Sequence, residues 1–162
     1  MGRLVTFDHP QPLTELIERI ALGTGNPKGF AVAIPQGQSV EDINIQSVAV
    51  CAGSGGSIFK GVDADLLFTG ELSHHEALAA TEQGRCVVTL FHSNTERGFL
   101  HSVMKPKLMK ELYDEWVEVQ EEESKLQDFE ENWKAILADD DIRVSISKVD
   151  RDPYGIVVLQ NP

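Results

Sequence analysis

The sequence predicts an α/β protein: a mostly parallel sheet with helices on both faces, plus an inserted acidic helical segment. Three observations carry this. Four short stretches that read as strands, at residues 30–34, 43–51, 64–69 and 86–91, are separated by turn residues and helical stretches, the alternation that builds a parallel sheet. The last run carries no charge over six residues, four of them β-branched or aromatic, as suits a strand covered on both faces. From Lys105 to Leu137 the pattern turns helical and acidic.

Taken in order, residues 2–12 read as a lead-in, with Pro10 and Pro12 barring an earlier helix. Leu13, Leu16, Ile17, Ile20 and Ala21 recur at helical spacing, and Gly23-Thr24-Gly25-Asn26-Pro27 stops that helix. A strand at 30–34 ends at Pro35, a polar connection covers 35–42, and the next strand occupies 43–51. Gly53-Ser54-Gly55-Gly56-Ser57 follows, leading into a short apolar helix through Ile58 and Phe59. Strand, glycine turn and helix is a layout that cradles phosphate. This run is neither G-x-G-x-x-G nor a Walker loop, and a tight turn allowing close backbone packing is the preferred reading. Residues 64–69 form another buried strand with Gly70-Glu71 as its exit. Ser73 then starts a helix, with Glu76 completing a capping box and Gly84 as the stop.

The segment 105–137 carries two apolar stripes, one through Leu108, Leu112 and Trp116, the other through Leu126, Phe129, Trp133 and Ile136. Residues 120–125 contain nothing apolar, so either one long helix crosses solvent there or two helices meet in a hairpin. Strict alternation at 142–147 predicts a half-exposed edge strand, Asp150-Arg151-Asp152-Pro153 a turn, and 156–159 a last short strand.

Composition bounds the function. At 162 residues, 41% hydrophobic and 25% charged, the chain has the make-up of one globular domain. Cys51 and Cys86 fall in strands and read as buried thiols rather than a disulfide or a metal pair, which fits a reducing compartment. No apolar stretch approaches a membrane span, and the start carries neither a signal core nor an Arg-rich leader; a soluble, cytoplasmic protein is expected. Of the net charge of −12, nearly all sits at 111–141, where thirteen acids face only Lys125 and Lys134. The near-neutral remainder argues against a nucleic-acid surface, because affinity for phosphates rests on Lys and Arg.

The residues that carry chemistry gather at predicted strand ends. His92 and Glu96 follow the strand at 86–91, and Glu71, His74 and His75 follow the one at 64–69, so all five share the carboxyl rim of the sheet. An imidazole and a carboxylate there can share Zn, Mn or Fe. Ser93-Asn94-Thr95-Glu96 is equally a capping box, the commoner pattern, and a cation at a helix N-terminus opposes the macrodipole. Spacing leaves both readings open. His74 and His75 would point about 100° apart on a helix and cannot easily face one ion together, so both read as surface groups or outer partners. His9 and His101 read as structural.

The run Leu67-Phe68-Thr69-Gly70-Glu71-Leu72-Ser73-His74-His75-Glu76-Ala77-Leu78, followed by His92-Ser93-Asn94-Thr95-Glu96-Arg97-Gly98-Phe99-Leu100, resembles the carboxyl-terminal lobe of the NIF-three-like family, in its eukaryotic form. That family is also known as the GTP cyclohydrolase 1 type 2 homologues. Met1-Gly2-Arg3, Val48-Ala49-Val50-Cys51-Ala52-Gly53-Ser54-Gly55 and Asp150-Arg151-Asp152-Pro153 agree in order and spacing. The resemblance implies two similar α/β lobes around a dinuclear metal site, assembled into toroidal hexamers, with His92 and Glu96 as metal ligands from the second lobe. Its other ligands, a histidine pair followed by proline and a later aspartate, belong to a first lobe that has no counterpart here. His74-His75 is followed by Glu76 and belongs to the second lobe's own motif.

Residues 1–162 are therefore expected to be one lobe, the second half of a two-lobe protein, with 105–137 as an insertion. The intact protein is expected to hold two divalent ions (Zn, Mn or Fe) and to be a homo-oligomeric, metal-dependent hydrolase. Glu71 and one of His74 or His75 would stand behind the ligands. Two ligands cannot hold two ions tightly, so the isolated lobe is expected to be inactive unless another chain completes the site. For the intact protein, nuclear and mitochondrial locations stay open. The alternative function is a non-enzymatic interaction or transcription-coregulator module, with a protein partner meeting the acidic helices.

Overall fold

The computed structural model of the chain describes residues 2–125 and 131–158. They form two compact units: the residues up to Gly98 together with those from Asp150 on, and Phe99–Val149.

The first unit is built on a five-stranded sheet in the order β1-β3-β4-β5-β2, where β1 is Arg3–Pro12, β2 Ala31–Ala33, β3 Asn44–Ser54, β4 Leu66–Glu71 and β5 Cys86–Thr89. The three central strands are parallel, as expected for strands covered on both faces. Both edges are reversed: β1 runs antiparallel to β3, and β2 antiparallel to β5. The lead-in at 2–12 is thus corrected to an edge strand. Its prolines disguised it, but a residue that cannot donate to a ladder is tolerated at a sheet edge, and the pairing shifts register between Thr6 and Gln11.

Helices cover both faces. Helix α1 (Leu13–Gly23) buries Leu13 and Leu16 against Ile45, Leu66 and Val88. On the other face α2 (His74–Glu82) sets Ala80 beside Ala49, Cys51, Leu67 and Val87. The predicted box at its start is present: the Glu76 N–H donates to Ser73 Oγ (3.3 Å), and the Ser73 N–H donates to the Glu76 carboxylate (2.8 Å). Gly84, at φ +78°, stops it in the left-handed region where a Cβ is unwelcome.

Asp65, at the mouth of β4, accepts hydrogen bonds from the Gln46 N–H, the Ser47 N–H and the Ser47 hydroxyl. Cys51 and Cys86 are both buried and free. Burial, with the charge of Asp65 added, pushes the Cys86 thiol up to about 11, which leaves it an unreactive core side chain.

Three further expectations are corrected. Ile58 and Phe59 do not form a helix but a turn, in which both N–H groups donate to the Gly55 carbonyl. Residues 156–158 make no strand, and Leu159 lies outside the described residues. In the second unit the alternation at 142–147 survives only as burial, with Ile142, Val144 and Ile146 half-buried and no ladder formed. Alternation records which side is covered; a strand also needs an edge to pair with.

The second unit holds α3 (Lys105–Glu123) and α4 (Glu131–Leu137). The Trp116 indole donates to the Asp139 carbonyl, and the Gln120 amide donates to the Leu137 carbonyl and the Asp140 carboxylate, so the chain returns alongside α3 as a hairpin. Leu126 and Phe129 of the second stripe lie outside the described residues. Among the described residues no helix is long and apolar enough to cross a membrane.

Candidate metal centre

At the carboxyl rim of the sheet the exits of β3, β4 and β5 press backbone against backbone. A Cβ added to Gly70 would lie 2.6 Å from the Gly53 carbonyl oxygen, 2.8 Å from His92 Cα and 2.9 Å from the Phe91 carbonyl oxygen. Gly53 has φ +70°, and a Cβ there would lie 2.8 Å from Glu96 Oε1 and 3.0 Å from His92 Nε2. The buried Thr69 hydroxyl donates to the Gly53 carbonyl (2.9 Å). Thr95 Oγ1 accepts the Gly53 N–H (2.9 Å) and donates to the His92 carbonyl (2.7 Å). Phe91 is held at φ 68°, a conformation that costs a non-glycine residue about 1–2 kcal/mol, and it sets the chain direction just ahead of His92.

On this platform His92 stands between two carboxylates. Its Nδ1 lies 2.9 Å from Glu71 Oε1 and its Nε2 lies 3.5 Å from Glu96 Oε1, all three side chains being about half exposed. In the neutral ring the Glu71 contact places the proton on Nδ1 and leaves the Nε2 lone pair facing Glu96, the orientation seen behind metal-ligating histidines. That hydrogen bond raises the His92 imidazole above its ordinary value. Desolvation opposes the shift, and the charges of Glu96, Glu71 and Asp152 add to it.

Two donors held about 2.0–2.2 Å from one ion at a tetrahedral angle lie about 3.4 Å apart, so the 3.5 Å between Nε2 and Oε1 fits a shared cation. Gly53 leaves the space beside both atoms free of side chain. Among the described residues no group of three or more His, Cys, Asp or Glu side chains is arranged to hold an ion.

The capping-box reading of Ser93 and Glu96 is corrected. Residues 93–95 form a single 3-10 turn with no side-chain cap, and the Ser93 N–H and hydroxyl donate instead to Asp152 Oδ2 (3.0 and 2.8 Å). Glu96 is thereby left to face His92. His74 and His75, on the first turn of α2, meet each other edge to face with centroids 5.6 Å apart and make no polar contact with Glu71, His92 or Glu96. Of the five rim residues the structure gathers three.

Asp152 is the residue that sequence reasoning passed over. It is only 7% exposed, and its second oxygen accepts the Tyr154 N–H (3.1 Å). Burial alone would push its carboxyl up. The Ser93 hydroxyl, the Tyr154 and Ser93 N–H groups and the charge of Arg97 outweigh burial and hold it below the ordinary value. Arg97 itself donates to Ser93 Oγ and to Asp150. Its sequence signals were its place in a turn and in one of the family-like motifs. Asp152→Ala is expected to cost about 2 kcal/mol, because hydrogen bonds to a charged acceptor are worth about 1.5–3 kcal/mol and the Ser93 N–H loses its partner. Denaturant unfolding reads this; a midpoint unchanged from the parent chain would show Asp152 to be dispensable.

With this geometry in view, comparison with known proteins is decisive. A sequence model of Duf34/NIF3 (NGG1p interacting factor 3) matches residues 1–128. The chain belongs to the Duf34/NIF3 family. Protein NIF3 homolog of Schizosaccharomyces pombe is 45% identical over 117 residues, covering 72% of this chain and 41% of that protein. Human NIF3-like protein 1 is 35% identical over 157 residues, covering 97% of this chain and 34% of that protein. The chain thus spans well under half the length of these relatives. The crystal structure of a Bacillus cereus protein related to NIF3 superposes with a TM-score of 0.61 at 21% identity, covering 97% of this chain and 36% of that one, a likeness of fold. The matched stretch of this Duf34/NIF3 chain includes every residue of the His92, Glu96 and Glu71 cluster.

Proposed function

We propose that this Duf34/NIF3 chain is one lobe of a metal-dependent hydrolase of the GTP-cyclohydrolase-like class, and that it contributes His92 and Glu96 to a divalent metal site. The observation that carries the reading is the 3.5 Å pairing of His92 Nε2 with Glu96 Oε1 while Glu71 holds Nδ1 from behind. A divalent ion bound there would supply Lewis acidity for hydrolysis. The chain's own residues perform the supporting work. Glu71 fixes the imidazole's tautomer and ring orientation, Gly53 keeps the approach to both donors open, and Asp152 ties down Ser93 so that Glu96 is not consumed as a cap. Zn, Mn and Fe all accept one nitrogen and one oxygen donor, and the remaining ligands must come from another lobe or another chain.

The test is made on the longer protein that carries both lobes. Metal content is measured after dialysis, and hydrolysis of GTP is followed with and without a chelator. Bound divalent metal and chelator-sensitive turnover are expected. A metal-free protein, or turnover indifferent to the chelator, overturns the assignment. The second reading is an interaction module. Its support is a separate acidic unit with Leu108, Leu112, Tyr113, Trp133 and Ile136 at least 40% exposed. A protein with neither metal nor turnover in that experiment would favour it.

A further inference from the structure

We propose that two copies of this chain pair through α3, running antiparallel, with the bare leucine face of one helix laid on that of the other. The helix has 19 residues and is about 28 Å long, and its sides differ. On one side Trp116 and Gln120 are tied to the returning segment at Leu137, Asp139 and Asp140. On another, Leu108 and Leu112 stand one turn apart, 42% and 40% exposed. Val103 and Met104, exposed in the π-helical turn Leu100–Met104 that runs into α3, extend the apolar surface. Single exposed apolar side chains are ordinary, whereas a continuous stretch of them marks a contact surface.

Charge identifies the occupant. Lys105, Lys107 and Lys110 all fall in the first six residues of α3, and from Glu111 to Glu123 there are seven acids and no base. Lys110 is neutralised by Asp114 on its own helix, while Lys105 and Lys107 make no ion pair among the described residues. The two leucines therefore lie where the sign of the charge changes. A uniformly basic partner would set its charges against the lysines, and a uniformly acidic one against the glutamates.

A helix with the same two halves in reverse order meets both with opposite charge, and a second α3 laid antiparallel is such a helix. With Leu108 facing Leu112 of the other copy, Lys107 of each copy lies beside Glu111 and Glu115 of the other, and Lys105 lies level with Glu115. Parallel pairing would stack lysines on lysines and glutamates on glutamates. The contact is isologous, so every favourable pair occurs twice, and so does every repulsion introduced by substitution. Pairing through α3 needs neither metal nor substrate, and it goes beyond the hydrolase reading.

The experiment is sedimentation equilibrium of this chain in buffer containing EDTA, which excludes assembly through a bridging metal. A contact between two single helices is small, so a dimer with a Kd below about 500 µM is expected rather than a tight one. The double variants Lys105→Glu/Lys107→Glu and Glu111→Lys/Glu115→Lys, and the single variant Leu108→Asp, should each weaken it at least about fivefold. All five positions are exposed, and circular dichroism confirms that the variants are folded. Combining the two charge reversals in one chain restores opposite charges across the pair, and this fourfold variant should associate more tightly than either double variant. A chain still monomeric at about 500 µM overturns the proposal. So does a dimer that either double variant or Leu108→Asp weakens less than about fivefold, or a fourfold variant no tighter than the doubles.

Discussion

Gly70→Ala is expected to lower the stability of the chain by about 3 kcal/mol, the upper end of what overpacking usually costs. The reason lies in what the added methyl meets. Its three nearest atoms are the Gly53 carbonyl oxygen, His92 Cα and the Phe91 carbonyl oxygen, all main chain and all within 2.9 Å. No side chain can rotate away. Gly53 is pinned by the Thr69 and Thr95 hydroxyls, and Phe91 already sits in a costly conformation. Gly56→Ala supplies the contrast, because its methyl would meet only the end of the flexible Glu76 side chain, and its cost is about that of a helix cap, ~1 kcal/mol. Urea midpoints of the two variants check this. If Gly70→Ala unfolds no earlier than Gly56→Ala, the strand exits are not packed as described.

The second large effect concerns chemistry rather than stability. On the proposed metal-site reading, His92→Ala in the longer protein is expected to weaken metal binding by at least about a hundredfold, since even the outer partners of metal ligands are worth about 10–100-fold. The fold should barely notice, because the ring is half exposed and surface substitutions usually stay within about 0.5 kcal/mol. Glu96→Ala should follow the same pattern. Metal titration together with thermal unfolding separates the two effects. Metal affinity unchanged in His92→Ala would remove the imidazole from the site, whereas a large loss of stability would mean the ring serves the fold instead.

Much of the frame was legible before any coordinates. The runs at 43–51, 64–69 and 86–91 contain the three covered, parallel strands, and Ser73 with Glu76 forms the box that its spacing suggests. An equally good local pattern at Ser93 and Glu96 failed. There a buried carboxylate 59 residues further along takes both donors of Ser93, and a charged acceptor held in place outcompetes a flexible one. His74 and His75 show the reverse: proximity along the chain to Glu71 did not translate into contact with it, because the first turn of α2 carries both rings to solvent.

The amino-acid sequence by itself determined the family, the three central strands and the two flanking helices, since motifs, hydrophobic runs and short-range caps act within a few residues of where they are written. Tertiary structure alone decided the reversal of both sheet edges, the closeness of Gly53, Gly70 and His92, and the choice of Glu71 rather than His74 or His75 as the group behind the imidazole. Those outcomes depend on which distant segments come to lie side by side. Contact between segments far apart in the chain is settled by packing and by competition for hydrogen-bond donors, and neither leaves a local mark in the order of residues.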